Sequence, residues 1–122
     1  MSAKILTVDD ALYMRKMLCS ILASVGYETC EAPDGEAGVA AYEAEKPDLV
    51  LMDITMPGLD GIGATRAIME KDVSAKVIIC SALGQQQMVL EAVKAGACEY
   101  VVKPFEPEEV LEVVKRLLSA AA

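Results

Sequence analysis

The sequence contains no histidine and no tryptophan, and aromatic residues make up only 4% of it. Without histidine, the chain can form neither a zinc site of the Cys-His type nor a Cys-His catalytic pair. Its four cysteines, Cys19, Cys30, Cys80 and Cys98, are irregularly spaced and include no CxxC pair. We therefore interpret them as small hydrophobic residues of the interior.

Positive charge is also scarce, with 11 Lys and Arg residues against 19 Asp and Glu residues, a formal net charge of −8. Such a surface repels nucleic acid phosphates, and no basic stripe is present for direct contact with DNA. No apolar run approaches the roughly 20 residues that a membrane helix requires, and no signal peptide pattern opens the chain. We predict a soluble cytoplasmic protein with no direct nucleic acid binding and no membrane insertion.

Short apolar segments alternate with amphipathic ones along the 122 residues, of which 54% are hydrophobic. This length suits one domain with its own core. The predicted strands are KILTV at 4–8, YETCE at 27–31, DLVLM at 48–52, KVIIC at 76–80 and YVV at 100–102. The predicted helices are 14–25, with Gly26 placed to end it, 34–44, 62–70, 85–95 and 107–118. Strict alternation implies a parallel sheet with helices on both faces.

Polar side chains follow four of these strands. Asp9 and Asp10 follow the first, Asp53 the third, Ser81 the fourth and Lys103 the fifth. Because ligands bind outside the carboxyl ends of parallel strands, three carboxylates, a hydroxyl and an ammonium group are expected at one edge of the sheet.

Three neighbouring carboxylates need a cation. Two of them repel by about 4 kcal/mol at about 4 Å when the effective dielectric is near 20, and Lys103 supplies a single positive charge. An oxygen site of Asp10, Asp53 and a backbone carbonyl suits Mg²⁺. With Lys103 and Ser81 nearby, such a site could also accept a phosphoryl group, and nucleophilic attack by Asp53 would give an acyl phosphate.

Each motif alone has a simpler interpretation. Asp9-Asp10 could be a turn and helix cap, and Ser81 a cap for the next helix. Lys103 could be a solvated lysine and Tyr100 a half-buried strand residue. The specific observation is their joint occurrence, in order, at four strand ends.

The motifs "VDD", "LMDITMPGLDG", "CSALG" and "VVKPF" resemble those of response-regulator receiver domains. The resemblance covers essentially the whole chain, and within the family it is greatest to the single-domain chemotaxis regulators. It implies an α/β fold with a five-stranded parallel sheet in the flavodoxin-like order 2-1-3-4-5, helices on both faces, and one receiver domain over residues 1–122.

The resemblance also implies roles for individual residues. Asp53 would be the phosphoacceptor. Asp9, Asp10 and Asp53 with the Thr55 carbonyl would hold Mg²⁺, and Ser81 and Lys103 would contact the phosphoryl oxygens.

The family further implies a cis peptide bond between Lys103 and Pro104 and a switch in which Tyr100 turns inward as Ser81 moves toward the phosphate. Thr55 and Leu83 occupy the two positions that tune phosphate lifetime in the family. Because Leu83 is apolar and cannot orient an attacking water, we expect slow self-dephosphorylation and a separate phosphatase.

The predicted function is that of a two-component response regulator. It would accept a phosphoryl group from a histidine kinase and change its affinity for a flagellar switch protein, with no enzymatic activity beyond transfer to itself. A phosphorelay intermediate that passes phosphate to a histidine phosphotransferase is an alternative.

Two alternatives come from other classes. Haloacid dehalogenase-type phosphatases also use an aspartate nucleophile, but they place a second aspartate where this chain has Thr55. A flavodoxin-like cofactor binder should have a hydroxyl- and glycine-rich phosphate loop after the first strand, where this chain has Asp9 and Asp10.

Overall fold

The computed structural model describes residues 3–119, which form alternating strands and helices. The strands are β1 (Lys4–Val8), β2 (Glu28–Ala32), β3 (Leu49–Asp53), β4 (Val77–Ala82) and β5 (Glu99–Lys103). The helices are α1 (Leu12–Ala23), α2 (Gly35–Glu45), α3 (Gly61–Lys71), α4 (Gln86–Ala95) and α5 (Pro107–Ser119). None of the helices in this part of the chain is long and apolar enough to cross a membrane.

All strand pairings are parallel, and the order in the sheet is β2-β1-β3-β4-β5. The predicted fold and strand order are therefore confirmed. Successive side chains of β1 pack in two separate hydrophobic cores, one on each face of the sheet. Ile5 packs in a cluster with Leu18 of α1 and Val110 of α5. Leu6 lies on the opposite face in a cluster with Ile62 of α3. The sheet thus has helices on both faces, as the alternating pattern predicted.

Strand β3 has no solvent-facing side, because each of its five residues is buried. This explains its unbroken apolar run, which is typical of a central strand in a parallel sheet covered on both faces. Its last residue, Asp53, is the one charged group of the strand and is only 7% exposed. The sheet therefore places a carboxylate at the end of its most buried strand.

Some predicted boundaries and burial states differ from the structure. Helix α1 ends at Ala23, and the chain then turns through Gly26, whose φ of 95° is left-handed as predicted. The amide of Gly26 donates to the Ala23 carbonyl in this turn. Val25 consequently leaves the apolar face of the helix and is 55% exposed. Of the four cysteines predicted to lie in the interior, Cys80 is buried, whereas Cys19 and Cys30 are only partly buried. Cys98 is exposed immediately before the edge strand β5.

A buried hydroxyl in α3 has no hydrogen-bond partner among the described residues. Thr65 is 0% exposed, and its Oγ1 is unsatisfied. We expect Thr65→Val to raise the free energy of unfolding by about 1 kcal/mol, because valine keeps the shape and removes an uncompensated polar atom. Denaturant unfolding would measure the change.

Thr7 provides a matched control, since it is also 0% exposed but its Oγ1 lies 3.6 Å from Cys19 Sγ, within the range of a sulfur hydrogen bond. Thr7→Val should raise the free energy of unfolding by less than Thr65→Val does, or should lower it. A lower stability of the Thr65→Val protein would contradict the interpretation of this hydroxyl.

Candidate functional site

One ammonium group joins two buried carboxylates at the carboxyl edge of the sheet. The Nζ of Lys103 lies 3.1 Å from Asp53 Oδ1 and 3.2 Å from Asp9 Oδ2. These residues come from the ends of β5, β3 and β1, so the expected convergence of strand ends is observed. The Lys103 side chain is 23% exposed and the Asp9 side chain 3%, which limits solvent screening of the pair.

Asp10 adds a third carboxylate to this cluster. Asp9, Asp10 and Asp53 can each offer one oxygen such that the three atoms lie within 4.8 Å of one another. Asp9 and Asp53 are buried, whereas Asp10 is exposed and leaves the cluster open to water. Mg²⁺ prefers oxygen ligands and usually retains several water molecules. A cluster of carboxylates that is open to water on one side provides both. The residues present therefore fit a magnesium ion.

The pKa values of Asp53 and Lys103 are both raised, and each residue affects the pKa of the other. Burial raises the pKa of Asp53, Lys103 opposes that effect, and the nearby Asp9 raises it further. For Lys103, burial acts to lower the pKa, but Asp53 and Asp9 outweigh it, so the pKa of the ammonium group is raised. Asp53 is thus a carboxylate that the fold holds at some cost in stability.

The turn after β1 fixes the position of Asp9. The amide of Ala11 donates to Asp9 Oδ1 at 2.8 Å, and the guanidinium of Arg15 donates to the Asp9 carbonyl at 2.8 Å. Arg15 also contacts Glu31 of β2 at 3.1 Å. Asp9 therefore stabilises a local turn but is not the cap of α1, whose N-cap is Ala11, and it belongs to the acidic cluster at the same time.

Helix α3 packs closely against the end of β3. A Cβ atom on Gly61 would collide with the Asp53 carbonyl and would lie 2.7 Å from the Ile54 Cα, so only glycine fits this contact. Asp60 caps the helix by accepting from the Gly63 amide at 2.8 Å. The loop that follows Asp53 is therefore anchored where α3 begins, an arrangement that the sequence analysis did not predict.

Ser81 and Tyr100 lie on neighbouring strands. Ser81 is 2% exposed and lies within β4, which extends one residue beyond it. It is not the cap of the next helix, because the N-cap of α4 is Gln85. Tyr100 on β5 is 48% exposed, and both residues line a groove of about 360 Å³ bordered by α4. The Lys103-Pro104 peptide bond is cis.

The remaining predicted site residues, Thr55 and Leu83, are both exposed, Leu83 by 79%. The side chain of Thr55 is held by Gln85, for which the sequence analysis predicted only the first position of a helix. Gln85 donates from Nε2 to Thr55 Oγ1 at 2.9 Å, and its Oε1 accepts from the Ala82 amide at 2.6 Å. A larger cavity, of about 450 Å³, lies between α2 and α3 and is lined by none of the predicted site residues.

A doubly wound parallel sheet with an acidic cluster and a lysine at its carboxyl edge is the arrangement of a signalling receiver domain. The model of the response regulator receiver domain family matches residues 5–115. The chain therefore belongs to this family. The family is one of two-component signalling proteins.

Three relatives illustrate the similarity. The chemotaxis protein CheY of Thermotoga maritima is 50% identical over 118 residues, which cover 96% of this chain and 98% of that protein. CheY of Bacillus subtilis is 48% identical over 120 residues, covering 98% and 100%. The crystal structure of the CheX-CheY-BeF3-Mg²⁺ complex of Borrelia burgdorferi matches with a TM-score of 0.87 and 38% identity, covering 98% of this chain and 90% of the solved chain.

The raised pKa of Asp53 predicts how stability depends on pH. A carboxyl group whose pKa is raised on folding stabilises the fold when protonated, and this contribution is lost as the pH rises through the pKa of the folded state. At pH 7, without divalent cations, Asp53→Asn should therefore raise the free energy of unfolding by roughly 1 kcal/mol. The gain should shrink as the pH falls through the pKa of Asp53.

Urea unfolding at several pH values in the presence of EDTA would measure this dependence. Asp10→Asn, a change in an exposed carboxylate of the same cluster, should give a smaller gain at pH 7. A gain for Asp53→Asn that is equal at all pH values would show that the raised pKa is not its cause.

Proposed function

We propose that this chain, over residues 1–122, is a two-component receiver that accepts a phosphoryl group on Asp53. The observation that supports the proposal is the contact of Lys103 with both Asp53 and Asp9 beside a third carboxylate. In the transfer, a carboxylate oxygen of Asp53 forms a bond to phosphorus while the phosphorus–nitrogen bond of a kinase phosphohistidine breaks. The departing histidine nitrogen takes up a proton, and Asp53 becomes an acyl phosphate.

The residues around Asp53 have separate tasks in this proposal. Mg²⁺ held by Asp9, Asp10, Asp53 and the Thr55 carbonyl would offset charge on the phosphoryl oxygens. Lys103 lies 3.1 Å from Asp53 and contacts a phosphoryl oxygen after transfer. Ser81 contacts another, and its movement toward the phosphate vacates space for Tyr100, which already borders the same groove.

The biological setting we propose is cytoplasmic chemotaxis signalling, because the T. maritima and B. subtilis relatives are chemotaxis proteins. The partners would be a CheA-like histidine kinase and a FliM-like flagellar switch protein. The exposed Leu83 cannot orient water, so loss of phosphate is slow and a separate phosphatase ends the signal. A CheX-like protein is a candidate, since the B. burgdorferi relative forms a complex with CheX.

Intact-protein mass after incubation with acetyl phosphate tests the central step. We expect one phosphoryl adduct on the parent protein in Mg²⁺ and no adduct in EDTA or on Asp53→Asn. The Asp60→Asn protein is a control, because it changes a helix-capping carboxylate outside the cluster and should still form the adduct. Equal labelling of the Asp53→Asn and parent proteins would exclude Asp53 as the acceptor.

The output step is tested by the affinity of an N-terminal FliM-like peptide for the protein with and without phosphorylation. We expect phosphorylation to increase the affinity at least about tenfold, and Tyr100→Ala to reduce that increase without preventing formation of the adduct. A full increase in the Tyr100→Ala protein would mean that this side chain only packs against the groove. An unchanged affinity of the parent would exclude this partner.

A further inference from the structure

The side chain of Gln85 connects the two loops on either side of the phosphorylation site. Its Nε2 donates to Thr55 Oγ1 at 2.9 Å, and its Oε1 accepts from the Ala82 amide at 2.6 Å. The backbone amide of Gln85 also donates to the Ala82 carbonyl at 3.3 Å. One carboxamide therefore binds the end of β4 to the loop after β3, where Thr55 lies 30 positions before Gln85 in the chain.

Each of these contacts lies next to a residue of the proposed site. Thr55 is two positions after Asp53, and its loop is anchored at the far end where Gly61 packs on the Asp53 carbonyl. The Ala82 amide belongs to the same planar peptide group as the Ser81 carbonyl. Ser81 therefore cannot move its backbone without moving the N–H group that Gln85 holds.

We propose that Gln85 is a positioning residue, a latch that holds the Thr55 loop and the end of β4 in their unphosphorylated arrangement. This inference rests on the proposed function and adds a regulatory contact to it. We infer that Ser81 moves toward phosphorylated Asp53 together with its backbone, which would either break the hydrogen bond between Ala82 and Gln85 or pull Gln85 away from Thr55. In both cases a hydrogen bond is lost, so the latch opposes the switch.

The latch also links the site to helix α4. Gln85 is the N-cap of α4, and its carbonyl accepts from the Val89 amide at 3.0 Å in the first turn. The groove shared by Ser81 and Tyr100 is bordered by residues of the same turn, including Gln86 and Val89. Release of Gln85 therefore frees the beginning of the helix beside the groove that Tyr100 would enter.

Removal of the latch should shift the population toward the phosphorylated arrangement before any phosphate is present. Phosphoryl transfer from acetyl phosphate should then be faster, because less of the free energy of the proposed switch has to be supplied during the reaction. We expect Gln85→Ala to increase the initial rate of adduct formation about three- to tenfold in Mg²⁺. Thr55→Val removes the hydrogen bond between the loops and keeps the Thr55 backbone carbonyl, so it should increase the rate by a similar factor.

The double variant Gln85→Ala/Thr55→Val distinguishes a latch from two unrelated effects. If the hydrogen bond between the two side chains is responsible, the double variant should react no faster than the faster single variant. The neighbouring Gln87 is an exposed residue of α4, outside the latch and the groove, so Gln87→Ala serves as the matched control and should react like the parent. Fully multiplicative single effects would overturn the proposal.

A second measurement needs no phosphate and tests the latch directly. Amide hydrogen exchange of Ala82, followed by NMR in the unphosphorylated full chain, should accelerate at least about threefold in Gln85→Ala and stay unchanged in Gln87→Ala. Faster exchange with no gain in the rate of adduct formation would reduce Gln85 to a helix cap and overturn the proposal. Unchanged exchange would overturn it as well, because the N–H group would not depend on Gln85.

The two measurements also separate this inference from the proposed function. If the parent and all variants fail to form an adduct with acetyl phosphate, the proposed phosphorylation of Asp53 is overturned. In that case the exchange of Ala82 still shows whether Gln85 holds the two loops together. If the parent forms its adduct and the variants do not react faster, the receiver assignment stands and the latch is rejected.

Discussion

The contacts of Lys103 with Asp53 and Asp9 are the interaction on which the rest of the site depends. Two buried carboxylates this close would repel each other strongly, and each would lose the water that normally solvates it. A single ammonium group 3.1 and 3.2 Å away offsets part of that cost. Asp53 lies 50 positions and Asp9 lies 94 positions before Lys103 in the sequence. Only the assembled sheet can therefore bring the three residues together.

The strand order explains why lysine suits this position. Strands β1 and β3 are neighbours, so Asp9 and Asp53 end on adjacent strands, whereas β4 separates β3 from the edge strand β5. A side chain from β5 must therefore reach across the end of β4, and the long flexible stem of lysine allows this. Ser81 belongs to β4, the strand that lies between the lysine strand and the acidic strands.

Function and stability oppose each other at Asp53. The strand that carries it is buried along its whole length, and burial raises the pKa of its only carboxyl group. An uncharged residue at this position would be expected to suit the fold better, but it could not serve as the nucleophile that the proposed function requires. The backbone of Asp53 is packed closely by Gly61, and its carboxylate is held by Lys103. The buried strand end contrasts with the exposed Tyr100 and Leu83, of which Tyr100 is the residue that moves in the proposed switch.

The sequence by itself determined the alternation of strands and helices, the parallel sheet and the convergence of Asp9, Asp10, Asp53 and Lys103 at one edge. These features follow from local patterns, since the apolar period identifies each element and alternation leaves few topologies. The resemblance to the receiver family added the strand order and the cis Lys103-Pro104 bond, and both are present in the structure.

Other features were decided only by tertiary structure. The exposure of Val25 depends on how the chain turns after α1, and the exposure of Cys98 depends on its place before an edge strand. The bond between Gln85 and Thr55 was not predictable, because glutamine at a helix start carries no local signal of a partner 30 residues away. Local sequence determines what each segment becomes, whereas contacts between loops depend on packing distances that exist only after the segments have assembled.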